Sequence, residues 1–444
     1  MAPLRLVVTM IVLLFMSPLA LANYESHGRN KGKWVDIWAS MPQLTEPANL
    51  PPEPFNDTGV VFQNSTIRQT IRVTLPAQIL RLQVSNAFGG SDLPITSASI
   101  AMPLDGSAGT SAIDPSTIQP LTFSGGHTNY TIPQGALVVS DPIFDFPVTA
   151  GSIVAISLYL ADGQTTNSIT SHPGSRTTSF FVRGNSVKAP DLEMDDSSTQ
   201  KADHWYFIST LSAYVPLPPS PDAVSGALAI VGDSITDGRG STTNLNDRWP
   251  DVLSTRLQMQ LSTSSISVLN LAAGGNWVLN DGLGPNALSR VDRDILSASG
   301  VKYVLIFEGV NDIGTAAVDL ASQQNVGTRL IAAYEQMITR VHAQGIPIFG
   351  ATITPFSGPG QTYSDPERER TRQRVNTWIR ESGEFDAVVD FDEAVRNGTQ
   401  PEQLADEYNV GDYLHLNPLG YEIMGGAVDL ELFDQYKDGV QGIL

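Results

Sequence analysis

The spacing of apolar residues changes once along this chain, at Val215-Pro216-Leu217-Pro218-Pro219-Ser220-Pro221, and that change limits the folds available to it. Proline fixes φ and removes a backbone donor, so a run this rich in proline makes a stiff connector and not an element of a sheet. Before it, apolar residues keep to alternate positions: Leu80, Leu82 and Val84, then Val154, Ile156, Leu158 and Leu160, with Ile67, Ile71, Val73 and Leu75 holding nearly the same parity. A period of two is that of half-buried strands. Gly89-Gly90, Asp105-Gly106, Gly125-Gly126, Asp162-Gly163 and Pro173-Gly174 punctuate these runs. The pattern predicts an antiparallel β-sandwich of jelly-roll type without helices, in which residues 187–204, rich in Asp, Ser and Lys, form a loop.

After the connector the period becomes helical. Leu330, Ala333, Tyr334, Met337, Ile338 and Val341 share one helix face before Gly345, and Asp365-Pro366 opens a helix that turns Val375, Trp378 and Ile379 inward. A further helix is expected over about 248–260. Short apolar runs at Ala227–Val231, Ser267–Ala272, Tyr303–Phe307, Ile346–Thr352 and Ala387–Asp390 read as strands between them. Strands alternating with helices give a parallel sheet covered on both faces, a three-layer α/β/α sandwich. The division expected is a leader over 1–22, a β-sandwich domain over 23–215, a linker over 216–224 and an α/β domain over 225–444.

The leader rests on Arg5, the apolar run Leu6–Met16 and the small-residue pattern Ala20-Leu21-Ala22, which together read as a signal peptide and a secreted, extracellular protein. The apolar run is shorter than the ~20 residues that cross a bilayer, and no later segment is long and apolar enough to span one. Although secretion permits disulfides, the chain has 0 cysteines, so burial and hydrogen bonds alone hold the fold and thiolate metal sites are excluded. A formal charge of -20 repels nucleic acid and anionic membranes. Asn56, Asn64, Asn129 and Asn397 each open an Asn-x-Thr pattern and are candidate glycan acceptors.

Four stretches of the second half carry chemistry. Gly232-Asp233-Ser234-Ile235-Thr236-Asp237-Gly238 follows the first buried strand and presents Ser234 at the carboxyl edge of the sheet, where α/β folds bind ligands. A serine nucleophile needs a base and donors for an oxyanion. Of the 6 histidines only His342 and His415 lie beyond the connector, and His342 sits on the charged side of a helix near its end, where solvation accounts for it. His415 stands three residues after Asp412, a spacing that lets the carboxylate accept from Nδ1 and leaves Nε2 toward the serine. Asn270–Asn276 follows a second strand, and Gly275, lacking a Cβ, lets a backbone N–H approach a reacting atom. Gly309-Val310-Asn311-Asp312 follows a third, and the amide of Asn311 can donate to an oxyanion together with the N–H of Ser234. Gly238, Gly240 and Ser241 lack the lysine of a phosphate loop. Asp237 and Glu308, beside these stretches, read as caps or backbone acceptors and receive no role, and Trp205 and Tyr206 read as core.

Taken together, these residues resemble the SGNH hydrolases, also called the GDSL family of esterases and lipases: Ser234, Gly275 and Asn311 stand where the first three blocks place their signature residues, and Asp412 with His415 match the last block. The resemblance covers about 226–430, with Ile235 in place of the usual leucine and Leu416 in place of a frequent proline. Phe307–Gly314, Arg290–Asp294, Trp34–Ser40 and Ser85–Gly89 look most like its two-domain secreted branch. The resemblance implies a flavodoxin-like α/β/α fold and hydrolysis of esters through an acyl-serine, with Ser234, Asp412 and His415 catalytic, Ser234, Gly275 and Asn311 forming the oxyanion hole, and no cofactor or metal. The substrate expected is a short-acyl ester, such as acetylated plant cell-wall polysaccharide, acted on by a monomer. The alternatives are a lipid acylhydrolase, a carbohydrate-binding protein with an inactive hydrolase domain, and a metal hydrolase using Asp412 and His415 as ligands.

Overall fold

A computed structural model describes residues 32–57, 59–192, 199–216 and 224–441. The expected leader and nearly all of the proline-rich connector lie outside these residues. The N-terminal part is built of antiparallel sheets. One sheet pairs Gly32–Ala39 with Ile208–Pro216, Leu80–Ser85 and Leu137–Val139 in that order. A second, of six strands, centres on Ser65–Arg72 and Ile153–Leu160. Both sheets turn their period-two apolar residues into one core: Leu80, Leu82 and Val84 from the first, Ile67, Ile71, Val154, Ile156 and Leu158 from the second.

The alternate residues do not behave as expected of half-buried strands. In Ser65–Arg72 the polar face is also buried, because Arg68 on that face is covered by two loops: its guanidinium donates to the carbonyls of Ser111 (2.6 Å) and Ala189 (2.8 Å) and to Ser157 Oγ (2.9 Å). A charge so placed is tolerable because its donors are spent on oxygen acceptors. Residues 187–204 are likewise not all loop. Gln200–Ala202 adds an edge strand to the second sheet through Ser179–Phe181. Trp205 and Tyr206 are core residues, Trp205 meeting Trp38 edge to face at 5.0 Å.

The C-terminal part has a five-stranded, wholly parallel sheet ordered Ile266–Asn270, Gly226–Gly232, Val301–Phe307, Ile348–Ala351, Ala387–Val389. In chain order this is 2-1-3-4-5, the doubly wound arrangement whose direction reverses beside the first strand. Each strand is a short apolar run because both faces are covered. The helices Trp249–Gln258 and Pro418–Ala427 pack together, as do Leu320–His342 and Pro366–Glu381, and right-handed crossovers place the pairs on opposite faces. The helix expected around Leu330–Val341 begins ten residues earlier, at Leu320, where Asp319 caps it by accepting from the Ser322 N–H at 3.0 Å. At its other end His342 is buried, not solvated, and its Nε2 meets Asp386 Oδ2 at 2.8 Å. No described helix is long and apolar enough to cross a membrane.

Candidate active site

The reversal point of the parallel sheet brings the first three strand ends together, and each carries one of the residues singled out from sequence. Gly226–Gly232 delivers Ser234, Ile266–Asn270 leads to Gly275, and Val301–Phe307 leads to Asn311. Ser234 begins a single helical turn, Ser234–Asp237, entered through Asp233, whose carboxylate accepts from the Ile235 N–H at 2.9 Å, and closed by Gly238 at φ 96°. Only a residue without a Cβ takes that φ at no steric cost. The turn points Ser234 Oγ at His415 Nε2, 2.7 Å away, although the two are 181 residues apart in sequence.

His415 comes from the loop that precedes Pro418–Ala427. Its Nδ1 lies 2.7 Å from Asp412 Oδ2, while Asp412 Oδ1 accepts from the backbone N–H groups of His415 (2.8 Å) and Leu414 (3.0 Å). The carboxylate therefore fixes both ring and backbone, with Nδ1–H donated to it and Nε2 left as an acceptor for the serine hydroxyl. Burial opposes the ionisation of Asp412, but the bonds from the His415 ring and from the two N–H groups outweigh it and hold the carboxyl below the usual range. Burial also pushes His415 below the ordinary imidazole value, and it outweighs the upward pull of Asp412; the Arg239 and Arg176 guanidiniums add to the depression.

Three candidate donors belong to residues that line the same cavity as the hydroxyl. Among the described residues neither the Ser234 N–H nor the Gly275 N–H donates to any protein acceptor. Asn311 donates to the Asn276 carbonyl at 2.8 Å and accepts from Tyr363 Oη at 3.1 Å on its carbonyl side, so its amide orientation is set and one N–H is left over. Gly275 has φ 71°, and a Cβ there would meet Leu283 Cδ1 at 2.6 Å. Next to Asn311, Asp312 accepts from the N–H groups of Val278 (2.8 Å) and Leu279 (3.0 Å), so the third stretch holds the loop of the second. Behind the serine, burial pushes the carboxyls of Asp233 up to about 7 and Asp312 to about 6, and that of Glu308 well above its ordinary value. Arg290, equally buried, binds the Leu271 carbonyl (2.6 Å) and Asn276 Oδ1 (2.9 Å) and lies 3.6 Å from Glu308.

Ser234, Gly275, Asn311 and His415 line one open cavity of about 520 Å³, and the N-terminal sheets supply part of its wall through Gln43, Glu46, Asn49, Arg176 and His204. The histidines of that half belong to no motif in the sequence, yet His172 is one of the supports of the site. It is 3% exposed, its Nε2 lies 2.9 Å from Asp237 Oδ1 and its Nδ1 3.0 Å from the Met41 carbonyl. Asp237 in turn accepts the Gly274 N–H at 3.0 Å, immediately before Gly275. Gly174 must be a glycine for this packing, since a Cβ there would fall 1.6 Å from Asp237 Oδ2. The reading of Asp237 as a backbone acceptor is right as far as it goes, but it misses the histidine. Of the glycan acceptor positions, Asn64 and Asn129 are exposed, whereas Asn56 and Asn397 are partly buried, with Asn56 Oδ1 enclosed.

Residues 230–423, somewhat under half of the chain, match the GDSL-like lipase/acylhydrolase family. This part of the protein is a GDSL-like ester-hydrolase domain. Solved structures similar to it include a lipolytic protein of the G-D-S-L family from Desulfitobacterium hafniense DCB-2, at 20% identity over 45% of this chain and 96% of that one with a TM-score of 0.33. The lipase/acylhydrolase from Enterococcus faecalis is 20% identical over 47% of this chain and 95% of its own, with a TM-score of 0.34. The acetyl xylan esterase AlAXEase is 17% identical over 45% and 96%, with a TM-score of 0.35. No curated protein matches the chain. The GDSL-like domain thus includes Ser234, Gly275, Asn311, Asp412 and His415 within its matched span.

Proposed function

We propose that the protein is a secreted serine esterase that removes acetyl or similar short acyl groups from plant cell-wall polysaccharide through an acyl-serine intermediate. The observation that carries the reading is the unbroken chain Ser234 Oγ, His415, Asp412, with 2.7 Å at each link. His415, held neutral by burial at neutral pH, takes the hydroxyl proton on Nε2 as Ser234 Oγ attacks the ester carbonyl. Asp412 stabilises the imidazolium that forms. The N–H groups of Ser234 and Gly275 and the amide of Asn311 donate to the oxygen of the tetrahedral intermediate. His415 then protonates the departing alcohol, the acyl group stays on Ser234, and the same imidazole draws a proton from water to release the acid.

A saccharide alcohol is favoured by the walls of the cavity. Gln43, Glu46, Asn49, His204 and Tyr363 bring hydrogen-bonding side chains to the wall beside the apolar Pro173, Leu283 and Leu414. A long acyl chain would require a continuous apolar groove. Replacing Ser234 by alanine tests the reading: hydrolysis of p-nitrophenyl acetate is expected to fall by roughly 10³-fold or more while the thermal midpoint is kept. Activity retained by Ser234→Ala rejects it. With the parent enzyme, a rate that climbs steadily from acetate to long-chain esters would favour a lipid acylhydrolase instead.

A further inference from the structure

Three buried arginines of this protein, Arg68, Arg290 and Arg372, each spend their guanidinium on several carbonyls, hydroxyls or carboxylates. Arg176 and Arg239 are different. Both line the cavity that holds Ser234, and among the described residues neither side chain makes a hydrogen bond or an ion pair. Nε of Arg176 is even shielded from solvent without an acceptor. Unsatisfied donors on a partly buried cation such as Arg176 are costly and call for a partner, while Arg239 is exposed at the rim and free to meet one.

The backbone at Arg176 is fixed although its side chain is not. Its φ is 51°, a left-handed conformation that a non-glycine residue adopts under constraint. The constraint comes from Asn244, whose N–H donates to the Arg176 carbonyl at 2.9 Å and whose side-chain oxygen takes the Thr178 N–H at 2.8 Å. Arg239 sits on the other wall, one residue past the glycine that closes the serine turn, with its carbonyl held by Tyr421 Oη at 2.6 Å. Of the two acidic groups in the lining, Glu46 has its own partners in Gln43 (2.5 Å) and Asn49 (2.9 Å). Asp237 is likewise occupied by His172 and the Gly274 N–H. Two guanidiniums without a protein partner therefore line the cavity that holds Ser234, in a chain whose formal charge is -20.

We infer that Arg176 and Arg239 form a subsite for a carboxylate carried by the ester substrate, which narrows the polysaccharide to one containing uronic acid. This rests on the esterase reading above and gives it a substrate class. A guanidinium fork matches the two oxygens of a carboxylate, and an overall negative surface makes a local positive pocket selective rather than merely attractive. One arginine comes from each half of the chain, so the subsite exists only when both halves are assembled.

Binding separates this inference from the esterase reading. Calorimetry with the full chain is expected to show a galacturonic acid trimer binding about tenfold or more tightly than a xylose trimer, with an affinity that falls as salt is raised. In the double variant Arg176→Gln, Arg239→Gln that preference is expected to vanish. Because the readout is a ratio on one preparation, a general loss of folded protein cancels, and Arg176→Glu gives a second check by reversing the preference. A uronic acid places the carboxylate on the alcohol side, so p-nitrophenyl acetate hydrolysis is expected to be inhibited by the galacturonic acid trimer and not by a succinate monoester; inhibition by the succinate monoester alone overturns the uronic acid assignment. Equal binding of charged and neutral trimers, or a preference untouched by the double variant, overturns the subsite. If the preference for the uronic acid trimer is found but Ser234→Ala still hydrolyses esters, the subsite stands and the serine mechanism falls.

Discussion

At the scale of single residues, the proposed mechanism makes the protonation of His415 set when the enzyme works. Its pKa lies below the ordinary imidazole value because burial outweighs the help of Asp412. The base must be neutral, so activity is lost as pH falls through a value below about 6.5 and is already full at neutral pH. Asp412→Asn removes the group that pulls this pKa upward. The acid limb of kcat/KM is therefore expected to move to still lower pH while kcat falls by roughly 10²- to 10⁴-fold, as when a serine triad loses its orienting carboxylate. A pH profile of both proteins checks the direction; a limb that moves upward contradicts it. These residues were legible in the sequence because each has a local signature. Ser234, Gly275 and Asn311 each close a buried run, and Asp412 stands at i−3 from its histidine. His172 had no such signature, since its partner Asp237 is 65 residues away and the contact exists only once two separate sheets meet.

At the scale of elements, the loop that carries Gly275 is held by supports from three directions. Asp312 holds Val278 and Leu279, Arg290 holds Asn276 and Leu271, and the His172–Asp237 pair holds Gly274. Truncating His172 to alanine removes a donor from a carboxylate that is 1% exposed and leaves it the Gly274 N–H, a loss of about 1–3 kcal/mol. The expected result is a lower midpoint in urea and a fall in kcat larger than the change in KM, because the group disturbed faces the transition state rather than the bound ester. Unchanged kcat in a folded His172→Ala protein would show that Gly274 needs no such anchor. Strand and helix types were readable from period alone, and helix Pro366–Glu381 was placed by its Asp-Pro start. What period could not show was cover. The outer face of Ser65–Arg72 looked solvated, and loops distant in sequence bury it.

At the scale of the molecule, the two halves are joined by more than a connector. The strand Gly32–Ala39 lies against Ile266–Asn270, the edge of the parallel sheet, where Asp36 N–H donates to the Ser299 carbonyl at 2.9 Å and Ser267 Oγ to the Asp36 carbonyl at 2.6 Å. Thr74 Oγ1 also accepts the Val268 N–H at 3.3 Å. Covering an edge strand in this way removes a template for aggregation. Residues 225–444 expressed alone are expected to be poorly soluble and to lack esterase activity, having lost this cover and His172 together; a soluble fragment with full activity would contradict that. The central claim is that Ser234 carries the acyl group. Brief exposure of the enzyme to p-nitrophenyl acetate, acid quenching and peptide mass spectrometry is expected to find an acetyl group on the peptide containing Ser234, whereas turnover with that peptide unmodified and an acetyl group on another side chain would contradict the account.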